Sequence, residues 1–176
     1  QLGDVSLRKF YKAVNKVAPS FIRVEADEAT YNMHIMLRLE IEIGMVDGSI
    51  AVKDLPEIWN AKMRDYLGVT PPNDAQGVLQ DIHWSYGAIG YFSTYALGNI
   101  VSAQLWEVIH KEIKDLEEQI RKGQFAELRE WLRAKIHTFG HKYDPQDLVK
   151  KVTGSKIDSA AYLRYLTKKY SEIYGL

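Results

Sequence analysis

The chain has 176 residues, of which 46% are apolar and 26% charged, as is usual for a globular domain with a hydrophobic core. Lysine plus arginine and aspartate plus glutamate number 23 each, so no net charge attracts nucleic acid or an anionic membrane. The absence of cysteine excludes disulfides and thiolate metal sites, and no apolar run is long enough to cross a membrane. We therefore expect one domain, residues 1–176, whose partners are neither nucleic acid nor membranes.

Three helices are predicted in the N-terminal part. The first has a candidate N-cap at Ser6, and the third has a start signal in which Asp54 is followed by proline and glutamate. The second is apolar on more than one side, which predicts extensive burial. Gly44 and Gly48 are expected to end it. The predicted bounds are about Leu7–Val17, Asp27–Ile43 and Asp54–Leu67.

The C-terminal part predicts four more helices and no strand, so the fold class is all-α. The longest helix carries a run of charges at helical spacing, which is typical of a solvated face with ion pairs. Proline after an aspartate starts one of the later helices, and Gly154 closes it. The predicted bounds are about Tyr95–Lys122, Phe125–His137, Asp144–Thr153 and Ser159–Tyr174.

The stretch from Gly77 to Tyr95 is the main candidate for function. Gln80, Asp81 and His83 place an amide, a carboxylate and an imidazole within four positions, just before a loop of glycines and tyrosines. Polar groups at that density, beside aromatic residues and flexible backbone, suit a surface that contacts substrate. The alternative is a buried aromatic corner whose polar atoms satisfy one another.

The histidines offer no convincing metal site. His137 and His141 have the spacing of a zinc peptidase pair, but threonine replaces the glutamate that follows the first histidine in such motifs. We interpret this pair as surface histidines at a helix end. His34 is expected to be a core or groove histidine with its hydrogen bonds satisfied, and His110 is expected to be exposed.

Two segments resemble motifs of the M32 family of metal-dependent carboxypeptidases. Residues 22–27, Ile-Arg-Val-Glu-Ala-Asp, match I-R-x-x-A-D, and residues 77–84 match G-x-x-Q-D-x-H-W. The resemblance covers essentially the whole chain. It implies a helical groove fold, a zinc or cobalt ion, and removal of single residues from peptide C-termini by a cytoplasmic, thermostable homodimer.

The chain departs from the family pattern in one respect. The family's D-x-R-x-T, H-E-x-x-H and H-E-S-[GQ] motifs do not occur in it. In the family, the latter two motifs supply the metal ligands and the general base. We therefore expect the C-terminal portion of a longer enzyme, which binds no metal and is inactive by itself. We also expect it to self-associate or to associate with the missing N-terminal portion.

The resemblance implies roles for six residues. Arg23 would bind the peptide's terminal carboxylate, although a structural bridge from Arg23 to Asp27 or Glu25 is an open alternative. His83 and a loop tyrosine would stabilise the oxyanion formed at the scissile carbonyl. A more distant likeness to the loop of thimet-type metallopeptidases favours Tyr95, with Tyr91 as the second choice. Gln80 and Asp81 are predicted to help bind substrate, with Asp81 orienting a neighbouring group.

A second hypothesis belongs to a different functional class. The chain could be a non-catalytic helical binding or assembly module that kept the groove surface and lost the chemistry. The coding sequence upstream of Gln1 separates the two hypotheses, because an upstream H-E-x-x-H motif would favour the enzyme.

Overall fold

A computed structural model describes residues 2–176, and every regular element in that range is helical. This confirms the predicted all-α class. The eight α-helices are α1 (Leu7–Val14), α2 (Glu28–Asp47), α3 (Leu55–Leu67), α4 (Ser93–Glu112), α5 (Leu116–Arg121), α6 (Ala126–Lys135), α7 (Pro145–Thr153) and α8 (Ala160–Tyr174). Short 3₁₀ turns lie at Arg23–Glu25, Val52–Asp54, Trp84–Tyr86 and His137–Phe139.

The contacts divide the chain into two compact units, one ending at Ala96 and the other running from Leu97 to Leu176. The sequence was interpreted as a single domain of residues 1–176, and that interpretation stays a prediction. All the site residues proposed from the sequence lie in the first unit.

The core of the first unit forms where α2 packs against α3. Leu37 and Ile41 of α2 are fully buried, as are Trp59 and Met63 of α3, so each helix turns an apolar face toward the other. In the second unit a separate core forms around α4, α5 and α6, with Ile109, Ile113, Leu116 and Trp131 buried.

Local chemistry explains where helix α2 begins. Asp27 is its N-cap: Oδ1 accepts from the backbone N–H groups of Ala29 (2.9 Å) and Thr30 (3.0 Å). The other carboxylate oxygen accepts from the Ala18 N–H at 3.0 Å, which ties the preceding segment to the helix. The cap therefore satisfies donors that a helix N-terminus otherwise leaves without partners.

The end of α2 differs from the prediction. Gly48, with φ 80°, ends the helix, but Gly44 lies inside it. A Cβ added at Gly44 would come within 2.5 Å of Cδ1 of Ile50. Glycine is therefore present because Ile50 packs directly on the helix backbone, and not because the helix stops there.

Two other predicted helices are too long. Helix α1 ends at Val14 with Asn15 as its C-cap, and the side-chain amide of Asn15 donates to the Tyr11 carbonyl at 2.9 Å, which helps to satisfy an acceptor in the last turn. The predicted helix over 95–122 is two helices, α4 and α5, separated by residues 113–115.

Candidate functional site

The site begins in the segment that connects α3 to α4. His83 is buried and precedes the 3₁₀ turn at Trp84–Tyr86. Gly87 (φ 81°) and Gly90 (φ 82°) then adopt left-handed backbone conformations that other residues rarely adopt. These two glycines turn the chain so that the aromatic residues after them pack around His83.

Asp81 forms two ion pairs with arginines from distant parts of the chain. Its Oδ1 accepts from Nη2 of Arg23 at 2.7 Å and from Nε at 3.2 Å. Its Oδ2 accepts from Nε of Arg38 at 2.8 Å and lies 2.6 Å from Nη2 of the same arginine, an ion-pair distance. One half-buried carboxylate therefore fixes Arg23, from the turn before α2, and Arg38, from within α2.

Gln80 joins the same two arginines. Its Oε1 accepts from the backbone N–H of Arg23 (2.9 Å) and from Nη2 of Arg38 (2.8 Å). Its Nε2 donates to the carbonyls of Phe21 (2.9 Å), Gln76 (3.0 Å) and Gly77 (3.1 Å). Both ends of the Gln80 amide are used in holding the site together.

Aromatic rings surround both guanidinium groups. The Cζ of Arg38 lies 4.5 Å from the ring centroid of Trp59 and 5.2 Å from that of Phe92. The Cζ of Arg23 lies 5.4 Å from Phe92 and 5.0 Å from Tyr95. Stacking on aromatic faces suits weakly hydrated guanidinium groups and offsets part of the cost of burying them.

His83 and Tyr95 are hydrogen-bonded to each other, with Nε2 of the imidazole 3.1 Å from the tyrosine oxygen. The ring of Phe92 lies against His83 with centroids 4.4 Å apart, and Tyr91 stacks on it at 5.7 Å. Nδ1 of His83 has no hydrogen-bond partner and lies 4.0 Å from Oδ1 of Asp81. The imidazole is thus held by aromatic contacts and one hydrogen bond.

The pKa values at the site reflect both burial and the neighbouring charges. Burial would raise the pKa of the Asp81 carboxyl, but hydrogen bonds and charges from Arg23 and Arg38 outweigh it and lower that pKa. Burial lowers the pKa of Arg38 to about 10, which leaves this guanidinium charged at neutral pH. Burial would lower the pKa of Arg23, but the hydrogen bonds and charges of Asp81 and Tyr31 together outweigh it and raise that pKa.

Two other polar side chains are buried beside the site. His34 is fully buried, and neither ring nitrogen has a hydrogen-bond partner, so the expectation of a satisfied histidine was wrong. Burial, followed by the charges of Arg38 and Arg23, lowers the pKa of His34 to about 4. Glu42 accepts from Nε1 of Trp84 at 2.9 Å through Oε1, and its Oε2 has no partner.

The structure brings all six predicted site residues into one cluster: Arg23, Gln80, Asp81, His83, Tyr91 and Tyr95. Arg23 does form a buried bridge, but its partner is Asp81 rather than Asp27 or Glu25. Asp27 is occupied as the α2 N-cap. The catalytic and substrate-binding roles of the six residues stay predictions.

Sequence reasoning missed Arg38. Its side chain has no exposed surface and it contacts Gln80, Asp81 and the carbonyl of His34. A signal was present, because Tyr31, His34 and Arg38 fall on one face of α2 at spacings of three and four residues. A buried cation needs a partner, which here is the carboxylate of Asp81.

No metal site can be assigned within residues 2–176, because that range contains no group of three or more histidines, cysteines or carboxylates placed to hold an ion. His137 and His141 are both exposed, as the surface interpretation expects, whereas His110 is half-buried and packs edge-on against Trp106. No helix within residues 2–176 is long and apolar enough to cross a membrane.

Comparison with known proteins identifies a single family. The sequence model of the family described as "Carboxypeptidase Taq (M32) metallopeptidase" matches residues 1–170. The chain is 48% identical over 174 residues to thermostable carboxypeptidase 1 of Thermus thermophilus, covering 99% of this chain and 34% of that protein. It is 43% identical over 176 residues to carboxypeptidase 1 of Bacillus subtilis, covering 100% of this chain and 35% of that protein.

Solved structures agree with the sequence comparison. The M32 carboxypeptidase from Deinococcus radiodurans R1 superposes with a TM-score of 0.95 at 39% identity, covering 99% of this chain and 35% of that one. The chain therefore spans about a third of the length of the relatives that it matches.

Proposed function

Because the chain belongs to the M32 family of metallocarboxypeptidases, we propose that the protein in which it acts removes single residues from the C-termini of peptides. The family assignment confirms the resemblance found in the sequence. The observation that carries the proposal is the cluster in the first unit, where a buried arginine, an imidazole and a phenol lie together.

Arg23 is proposed to bind the terminal carboxylate of the peptide. Of the five guanidinium N–H groups of an arginine, the structure uses one on Nε, one on Nη1 and one on Nη2. One N–H remains on each Nη atom, and the ion pair with Asp81 holds the fork in one orientation. A carboxylate binds well to such a fork because two charge-assisted hydrogen bonds form side by side.

Tyr95 and His83 are proposed to stabilise the oxyanion that develops on the scissile carbonyl. Burial raises the pKa of the Tyr95 hydroxyl, which therefore stays protonated and able to donate. If Nε2–H of His83 donates to the tyrosine oxygen, the phenolic hydrogen is free to donate to the substrate. In that arrangement Tyr95 contacts the carbonyl and His83 orients Tyr95. Tyr91 is the second choice as donor, since its ring is half exposed and stacks on His83.

For Gln80 and Asp81 the contacts support a holding role rather than direct contact with a peptide. All the hydrogen-bonding groups of the Gln80 amide bind within the chain, and both Asp81 oxygens bind arginines. Their part in substrate binding is then to fix the position of Arg23.

The metal, which we propose to be zinc or cobalt, does not fit the described residues of this chain. We propose that its ligands come from parts of the longer protein outside them, and that the chain alone binds no metal and is inactive. We further propose that the whole protein is thermostable and cytoplasmic, that it forms homodimers, and that the isolated chain associates with the remaining portion or with itself. Exposed apolar residues on α1, Leu7 and Val14 among them, support such an association.

Kinetics of the full-length protein test the proposed roles. His83→Ala and Tyr95→Phe should each lower kcat by roughly 10²- to 10³-fold, the usual effect of removing one oxyanion donor or its support. Metal content should not change, because neither residue is proposed as a ligand. Normal turnover in both variants would remove the pair from the reaction and favour the binding-module hypothesis for this surface.

A further inference from the structure

The positive charges of Arg23 and Arg38 outnumber the single negative charge of Asp81. Two guanidinium groups share a single carboxylate, so one positive charge is left uncompensated. Within residues 2–176, no other carboxylate lies within ion-pair distance of either arginine. Burying charge without compensation is costly, so a surplus cation beside the proposed substrate site requires an explanation.

Arg38 cannot contact a substrate itself. Its side chain has no exposed surface, and its nitrogens bind Asp81, Gln80 and the His34 carbonyl. The rings of Trp59 and Phe92 enclose its guanidinium group. Its effect on a ligand must therefore act through Asp81.

The other polar groups beside the two arginines do not alter this surplus of positive charge. His34 lies close to both arginines, but its low pKa keeps the imidazole uncharged at neutral pH. The Gln80 amide binds both arginines and carries no charge. The surplus charge thus belongs to the arginine pair.

We propose that Arg38 is a positioning residue that neutralises Asp81, so that Arg23 keeps an uncompensated positive charge for the carboxylate of a peptide C-terminus. This inference rests on the proposed function. Without Arg38, Arg23 and Asp81 would form a neutral pair, which holds the guanidinium in place but attracts an anion weakly. With Arg38, Asp81 orients Arg23 without cancelling its charge.

The size of the effect follows from Coulomb's law. A unit charge roughly 10 Å from the ligand carboxylate, at an effective dielectric constant of about 20, changes affinity on the order of tenfold. The change should affect anionic ligands and leave neutral ones nearly unchanged, which a purely structural role of Arg38 would not do.

The test uses the metal-loaded, full-length protein and two competitive inhibitors, an N-acylated dipeptide with a free C-terminal carboxylate and its C-terminal amide. Arg38→Gln should weaken inhibition by the acid about tenfold and change inhibition by the amide much less. The double variant Arg38→Gln/Asp81→Asn restores the single positive charge and keeps a side-chain oxygen that can accept from Arg23, so it should recover most of the lost affinity for the acid. Arg164→Gln, which breaks an exposed pair with Glu107, is the matched control.

Four results decide whether the inference and the proposal beneath it hold. A double variant that binds the acid no better than Arg38→Gln overturns the inference, as does an equal loss for acid and amide. Arg38→Lys covers the case in which Arg38→Gln does not fold: it keeps a positive charge beside Asp81, so the inference predicts that the preference for acid over amide is retained, and loss of that preference contradicts it. Arg23→Gln tests the underlying proposal separately, because an unchanged preference for acid over amide would refute the role of Arg23 itself.

Discussion

The stability of the chain should depend on pH through His34. This imidazole is fully buried, neither ring nitrogen is hydrogen-bonded, and two arginine charges lie close by. Protonating it in the folded state would add a third positive charge to a site that already holds an uncompensated one. Replacing His34 with phenylalanine keeps a ring of similar size and removes the titrating group.

The sign and size of the effect follow from the two pKa values. The unfolded chain takes up a proton on His34 near pH 6.5, whereas the folded chain does so only near pH 4. Between these values the unfolded state binds more protons, so the free energy of unfolding falls as the pH falls. The difference between 6.5 and about 4 corresponds to a loss of about 3 kcal/mol, and the loss stops below pH 4.

Urea unfolding of the chain, followed by tryptophan fluorescence from pH 7 to pH 4, measures this loss. Carboxylates protonate in every variant, so the difference in slope between wild type and His34→Phe isolates the histidine. Between pH 7 and pH 4, the free energy of unfolding of His34→Phe should fall by about 3 kcal/mol less than that of the wild type. The control His141→Gln, at an exposed site, should show the same fall as the wild type. Equal slopes for wild type and His34→Phe would refute the assignment of a neutral, buried imidazole.

Three other substitutions follow from the same contacts. In the full-length protein, Arg23→Lys should raise KM for peptides with a free C-terminus, because lysine lacks the planar guanidinium fork. A lower Tm with normal kinetics would instead show that Arg23 is only a structural bridge. Gly44→Ala should lower the free energy of unfolding by about 1–3 kcal/mol by crowding Ile50, and Gly44→Ala/Ile50→Ala should recover part of the loss. An unchanged urea midpoint for Gly44→Ala would contradict the close packing of Ile50 on the α2 backbone. Trp84→Phe should cost roughly 1.5–3 kcal/mol, because Glu42 loses its one hydrogen-bond donor while buried. Adding Glu42→Leu should then restore stability, and a further loss would show that the carboxylate is needed for another reason.

Helix boundaries set by local chemistry were predicted well from the sequence. Gly68 and Gly154 adopt left-handed conformations directly after α3 and α7, and Pro145 is the first residue of α7. Ser6, the predicted N-cap of α1, accepts from the backbone N–H of Lys9 through its hydroxyl. Each of these signals acts within a few residues of the boundary, so no knowledge of the fold is needed to interpret it.

Boundaries set by packing were not predictable in this way. Gly44 resembles a helix stop in the sequence, and only the approach of Ile50 shows why it lies inside α2. The apolar residues Ile109, Ile113 and Leu116 keep a helical spacing of four and three across the break between α4 and α5. A periodic pattern therefore predicts one helix where the structure has two.

In the site, too, features set by neighbouring residues were predictable and features set by distant contacts were not. Gln80, Asp81 and His83 are adjacent in the sequence, and their chemistry marks the segment as a candidate site. The partners of Asp81 are far away, however: Arg23 is 58 residues distant and Arg38 is 43. Sequence alone offered Asp27 and Glu25 as nearer partners for Arg23, because it does not show which distant segments the fold brings together.

The central claim is that this chain supplies the surface that recognises a peptide C-terminus. The most direct measurement compares cleavage of one peptide in two forms, with a free and with an amidated C-terminus, by the metal-loaded full-length protein. Mass spectrometry of the products should show stepwise release of single residues from the free form, and the amidated form should be at least tenfold poorer, as loss of a charge-assisted contact to Arg23 implies. Equal cleavage of the two forms, or cleavage at internal bonds, would contradict the account.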